Sequence, residues 1–199
     1  FRGNPNNENP IELLKQREPI RPAYRDKDAR IAMLDDYGLE KCWLFPTLGM
    51  IYEEPLHQDP WAVMQVFTAF NRWMLEDWGF NHKDRIFTAP YISLVDVDWA
   101  VSELKFALDN GATTVVMRPA APTTVDGQRS PADPMFDPFW ALANESGITV
   151  VAHAGNSGYT AHGYGDDSGF SAGFSQQSRP QPLRMATMFD RPIEDFLGS

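Results

Sequence analysis

The sequence predicts a parallel α/β fold, either a doubly wound sheet or part of a (β/α)8 barrel. Across its 199 residues, an amphipathic helical pattern followed by a short apolar strand recurs four times. Strands separated by helices pair in parallel through right-handed crossovers. A complete barrel takes about 250 residues, so the expectation is about four β/α units, roughly half of one.

The first helix is predicted over residues 26–37, with Ala29, Ile31, Met33 and Leu34 apolar and Gly38 as its stop. Residues 41–46 follow as a strand around Cys42, Trp43, Leu44 and Phe45. Asp59-Pro60 opens the second helix: a capping carboxylate, then a proline at the first helical position, where a missing N–H costs nothing. Its inner stripe is Val63, Val66, Phe67, Phe70 and Met74. Residues 85–92 read as a strand whose regular part ends at Pro90.

Asp96 is the expected cap of a third helix carrying Val101, Leu104, Ala107 and Leu108, stopped by Asn110-Gly111. Residues 113–117 form the next strand and run into Arg118-Pro119. Asp137-Pro138 repeats the Asp-Pro helix start, with Phe139, Leu142 and Ala143 inside and Gly147 as the stop. The run Ile148-Thr-Val-Val-Ala-His153 closes the series and has the β-branched composition of a buried parallel strand.

Residues 1–25, rich in Asn and Pro, read as an irregular N-terminal arm, and 26–199 as a partial barrel domain. Within it, residues 155–182 form a Gly-, Ser- and Gln-rich loop too long for an ordinary connection. It follows the last strand, where a lid, a substrate-binding loop or a loop without a role fits equally. An opening on Phe1 and a close on Gly198-Ser199 suggest an excerpt or a processed chain.

Composition narrows the function classes. With 43% hydrophobic and 13% aromatic residues the chain has enough apolar matter for a core. A net charge of -10 argues against nucleic acid or an anionic membrane as partner. No apolar run reaches the length of a membrane span. A single cysteine, Cys42, excludes an intrachain disulfide, fits a reduced cytoplasmic setting and reads as a small core residue. The six Trp residues read as packing on helix faces and helix starts.

In a parallel sheet all strand C-termini share one rim, where such folds carry their chemistry. Here the rim collects Phe45-Pro46, Ala89-Pro90-Tyr91, Met117-Arg118 and His153-Ala154. His153 is a candidate metal ligand, a general base, or a structural hydrogen-bonding group. Arg118 offers a planar fork for a substrate carboxylate, or else pairs with a rim Asp. Asn156, Ser157 and Tyr159 are candidate donors to a substrate oxygen. His162 shares the long loop but spacing does not make it a second ligand, and His57 and His82 read as solvated. No phosphate-binding, dinucleotide-binding or nucleophile-elbow motif is present.

Several fragments, in order, resemble the amidohydrolase-2 family, the aminocarboxymuconate-semialdehyde-decarboxylase-like branch of the amidohydrolase superfamily. They are Phe45-Pro-Thr-Leu-Gly49, Phe70-Asn-Arg-Trp73 with Glu76-Asp-Trp-Gly79, Asp84-Arg-Ile-Phe87, Met117-Arg-Pro119, Asp137-Pro-Phe-Trp140 and His153-Ala-Gly155. The resemblance covers roughly residues 21–197. It implies a distorted TIM barrel, (β/α)8, of metal-dependent hydrolase type, with one divalent metal, usually zinc, at the C-terminal rim. In that pattern the first strand supplies a His-x-His pair, a middle strand one His and the last strand an Asp. His153 matches the middle-strand ligand. The other positions have no counterpart in this sequence, and the catalytic acid/base is not identified.

The expected function is therefore metal-dependent hydrolysis or non-oxidative decarboxylation of a small carboxylated or cyclic substrate through metal-activated water. The expected assembly is a homodimer. Two other readings remain open: a catalytically incomplete barrel portion serving as a binding or assembly module, and a metal-free enzyme using His153 as a base.

Overall fold

The computed structural model describes residues 19–46, 52–118 and 122–153. A 3-10 turn at Pro22–Tyr24 precedes α1 (Lys27–Asp36), β1 (Cys42–Leu44), α2 (Glu53–Leu56), α3 (Pro60–Asp77), β2 (Asn81–His82) and β3 (Ile86–Thr88). Next come α4 (Val97–Asp109), β4 (Thr114–Met117), β5 (Thr123–Thr124), β6 (Gly127–Gln128), a 3-10 turn at Pro134–Phe136, α5 (Asp137–Ser146) and β7 (Thr149–Ala152). The architecture is α/β.

The expected capping chemistry holds at Asp59 and Asp96, and Asp26 caps α1 in the same way. Asp26, Asp59 and Asp96 each accept from a backbone N–H three residues on, at 2.6, 3.0 and 2.8 Å. The fourth differs. Asp137 is itself the first residue of α5, and Phe136 before it makes no side-chain cap. The capping aspartate is Asp133, which accepts from Met135 N–H at 3.0 Å and starts the preceding 3-10 turn. That turn leads the chain into α5, so Asp137 enters the helix as its first residue and not as its cap. Helix stops fall where expected, with Gly38, Gly111 and Gly147 at φ of +65, +81 and +68°.

β1 pairs in parallel with β3 (Cys42 opposite Ile86), and β4 with β7 (Thr114 opposite Thr149). The two pairs join where Tyr91, beyond the end of β3, bridges Val116 in parallel. Val116 N–H donates to Pro90 O at 2.9 Å, and Ile92 N–H to Val116 O at 3.0 Å. The order across the parallel strands is thus β1-β3-β4-β7. The sequence reading did not resolve β2, which pairs antiparallel with β3 through a turn holding Lys83 and Asp84 at positive φ. It also did not resolve the β5–β6 hairpin or the short helix α2.

β4 is buried along its whole length, its apolar residues facing helices on both sides. Val115 packs with Phe80, Ile92, Leu104 and Phe139 on one face. Val116 packs with Val63, Phe67, Tyr91 and Val95 on the other. Full burial of such side chains contributes roughly 1.5–3 kcal/mol each. β7 is different: its residues are only half-buried or exposed, because among the described residues it pairs on one side alone. Its composition reads as a buried strand, and among the described residues β4 covers one of its sides.

Edge placement also corrects other expectations. Cys42, on β1, is only partly buried, and that burial pushes its thiol up, away from an activated thiolate. Trp43, Trp61 and Trp73 are exposed rather than packed, as is Val66 on α3. Trp99 and Trp140 do pack, donating to Thr68 Oγ1 and Pro131 O. Within residues 1–25, Pro22–Tyr24 forms a 3-10 turn against α1 with Ala23 buried. His82 is not solvated: its ring is largely covered and contacts Asp28 Oδ1 at 3.1 Å. His57 is partly buried.

A buried polar network ties α3 to α4. Glu103 receives both ends of the Arg72 fork at 3.1 and 2.8 Å, and Asn71 and Thr68 at 3.0 and 3.2 Å. Arg72 also lies 3.2 Å from the centre of the Phe106 ring. This satisfied cluster fixes the α3–α4 layer that backs the rim.

Candidate functional site at the strand C-terminal rim

Because β1, β3, β4 and β7 run in parallel, their C-terminal ends bring Phe45, Tyr91, Arg118 and His153 to one rim. His153 is placed by its backbone, whose N–H donates to Met117 O at 3.0 Å. Met117 lies opposite Ala152, so Arg118 and His153 leave neighbouring strands side by side. The His153 ring is partly buried, 6.1 Å from the Phe45 ring. Arg118 is partly buried, with Nε and Nη1 out of solvent.

Beside these residues lies a carboxylate that the sequence reading missed. Glu53, on α2, is 4% exposed. It accepts from the Tyr91 hydroxyl, and from Ser93 Oγ at 2.9 Å. Glu53, Ser93 and Arg118 line one cavity of about 10 Å³, enough for a single water. Tyr91 is fully buried and stacked on Phe67 at 4.1 Å. Burial holds its phenol well above the ordinary tyrosine value, helped by the Glu53 charge and hydrogen bond and opposed by the Arg118 charge and backbone. Tyr91 therefore remains a proton donor to Glu53 throughout the neutral range. No local signal marks Glu53, which lies nine residues beyond the end of β1.

The structure brings together two of the expected site residues, His153 and Arg118. Asn156, Ser157, Tyr159 and His162 lie outside the described residues. Among the described residues no group of three His, Cys, Asp or Glu side chains is placed to hold a metal ion. A zinc site needs three or four ligands, so the described residues do not by themselves complete one. No helix among them is long and apolar enough to cross a membrane.

No family model matches the sequence, and no curated protein does. Solved structures do. An amidohydrolase from Mycobacterium avium subsp. paratuberculosis K-10 is 37% identical, aligned over 96% of this chain and 48% of its own, with a TM-score of 0.78. This match agrees with the resemblance to the amidohydrolase-2 family read from the sequence. At fold level it is also similar to 2,6-dihydroxybenzoate decarboxylase from Rhizobium, at 20% identity and a TM-score of 0.52, over 91% of this chain and 55% of that one. The same enzyme complexed with 2,6-dihydroxybenzoate gives 19% identity and a TM-score of 0.55. The chain spans about half the length of these amidohydrolase-2 relatives.

Proposed function

We propose that this chain contributes about four β/α units to a (β/α)8 barrel enzyme that hydrolyses or decarboxylates a small carboxylated or cyclic organic substrate. The observation that carries the reading is the adjacency of Arg118 and His153 on neighbouring parallel strand ends, within a chain 37% identical to an amidohydrolase. Barrel curvature is supported by the rings of Phe45 and His153, which meet although β1 and β7 stand at opposite ends of the strand order.

In this reading His153 is one ligand of a divalent metal, zinc being the first choice, with the remaining ligands outside the described residues. When bound, such an ion would lower the pKa of a water toward neutrality and polarise a substrate oxygen. Arg118 holds the substrate carboxylate in two-pronged fashion and so sets the orientation of the scissile bond. Asn156 and Tyr159 remain proposed substrate contacts, and the cytoplasm remains the proposed compartment. Likeness to a dihydroxybenzoate decarboxylase makes carbon dioxide release from small aromatic acids a sensible first assay.

Elemental analysis of the intact protein tests the metal assignment. We expect about one divalent ion per chain, and an occupancy lowered about 10-fold or more by His153→Ala. Equal metal content in both proteins removes His153 from the ligand set.

A further inference from the structure

We propose that Asn110 is a modification site: its side-chain amide closes onto the Gly111 nitrogen, with loss of ammonia, when the last turn of α4 opens. The folded turn holds that step back.

Asn110-Gly111 is the only Asn-Gly pair in the sequence. A glycine nitrogen is the least shielded in the backbone, because no Cβ stands beside it. The fold asks for glycine here, since residue 111 sits at φ +81°, where a side chain is strained. Both residues are exposed. The way α4 ends therefore puts a reactive pair at the surface.

In the closed turn both reacting groups are occupied. Asn110 Nδ2 donates to Phe106 O at 2.8 Å, which turns the side chain back along the helix. Gly111 N–H donates to Leu108 O at 3.0 Å and Ala112 N–H to Ala107 O at 2.9 Å, the paired bonds of a Schellman ending. Ala107 and Ala112 are buried in the same apolar cluster, which pins that ending. Attack needs the Gly111 nitrogen stripped of its proton and the Asn110 side-chain carbon beside it. Local opening of the turn must come first.

The step balances without an oxidant or cofactor. Base takes the Gly111 proton, the nitrogen bonds to Asn110 Cγ, and the Cγ–Nδ2 bond breaks as Nδ2 leaves with a proton as ammonia. Water then opens the five-membered imide at either carbonyl, leaving aspartate or isoaspartate. Neither carboxylate can donate to Phe106 O. Each adds a negative charge next to Asp109, at the C-terminal end of a helix whose last turn carries no basic residue. The modified turn opens more readily than the original.

Incubation of the intact protein in mildly alkaline buffer, folded and in guanidinium, tests this by mass mapping of the peptide that holds residues 110–111. The unfolded chain should lose ammonia at Asn110 about 10-fold faster than the folded one, or more. Ala107→Gly weakens the last helical turn and should speed the folded reaction several-fold while leaving the unfolded rate unchanged. Equal folded and unfolded rates overturn the gating, and an unfolded chain that keeps Asn110 intact overturns the site. Asn110→Asp copies one product and should melt below wild type. An unchanged melting temperature in that variant shows that the amide holds nothing and sinks the proposal as well.

Discussion

The rings of Phe45 and His153 lie 6.1 Å apart across the rim, tilted by 58°. They follow β1 and β7, the outermost of the parallel strands among the described residues, in the order β1-β3-β4-β7. Adjacent strands are about 4.8 Å apart, so a flat sheet would separate these strands by roughly 14 Å. Only inward curvature lets the two side chains meet. Phe45 thereby walls one side of the imidazole, and we expect Phe45→Ala to release it. Stability should drop by roughly 1 kcal/mol, because Phe45 is only partly buried. Metal content after dialysis against a weak chelator should fall several-fold; unchanged retention would show that Phe45 does not hold the ring.

Asn71 clasps the backbone of Tyr91 from α3. Its Oδ1 accepts from Tyr91 N–H at 2.9 Å and its Nδ2 donates to Tyr91 O at 2.8 Å. All of these atoms are buried, so truncation strands two backbone groups at the point where the chain passes from β3 to β4. Each stranded group costs about 1–3 kcal/mol. Asn71→Ala should therefore destabilise by about 3 kcal/mol in urea unfolding. Asn71→Asp should do no better, since it removes the donor and sets a carboxylate against Glu103, 3.0 Å from Nδ2. A loss below about 1 kcal/mol for both would mean that the clasp is dispensable.

Much of this scaffold was legible in the sequence, for local reasons. Asp26, Asp59 and Asp96 announce helix starts because a cap is decided within four residues, and Gly38, Gly111 and Gly147 announce stops because positive φ is. Arg118 and His153 were legible as rim residues once the strands were read as parallel. Glu53 and Tyr91 were not. Their pairing joins α2 to the end of β3 across 38 positions, and nothing local marks it. The half-exposed state of β7 was hidden for the same reason: a strand's burial depends on its neighbours, not on its own composition.

Tyr91 gives stability a defined alkaline limb. Its folded-state value is raised above the ordinary 10.0, first by burial and then by Glu53. Above pH 10 the unfolded phenol loses a proton that the folded chain keeps, so the native state binds more protons and stability falls as pH rises. The contribution is whole below about pH 10 and declines by at most about 1.4 kcal/mol per pH unit above it. Tyr91→Phe should cost roughly 2 kcal/mol at pH 7, where a hydrogen bond to a carboxylate is lost, yet show a flatter decline between pH 9.5 and 11. Parallel alkaline limbs for wild type and variant would assign the titration to another group.

The aspartates at helix starts should separate into two classes. Asp59 and Asp96 each satisfy a backbone N–H that the first turn of the helix would otherwise leave open. Replacement by Ala should cost about 1 kcal/mol at each site. Asp133 belongs with them, because its carboxylate holds Met135 N–H and starts the turn leading into α5. Asp137 looks identical in sequence, followed by proline as Asp59 is, but it stands inside the helix and caps nothing. Its only contribution is a negative charge in the first turn, worth a few tenths of a kcal/mol at a surface site and screened by salt. Asp137→Ala should thus lie within about 0.5 kcal/mol of wild type and converge on it in 1 M salt, while Asp133→Ala keeps its full deficit there. Equal losses at the two positions would return the cap to Asp137 and overturn the reading of the α5 start.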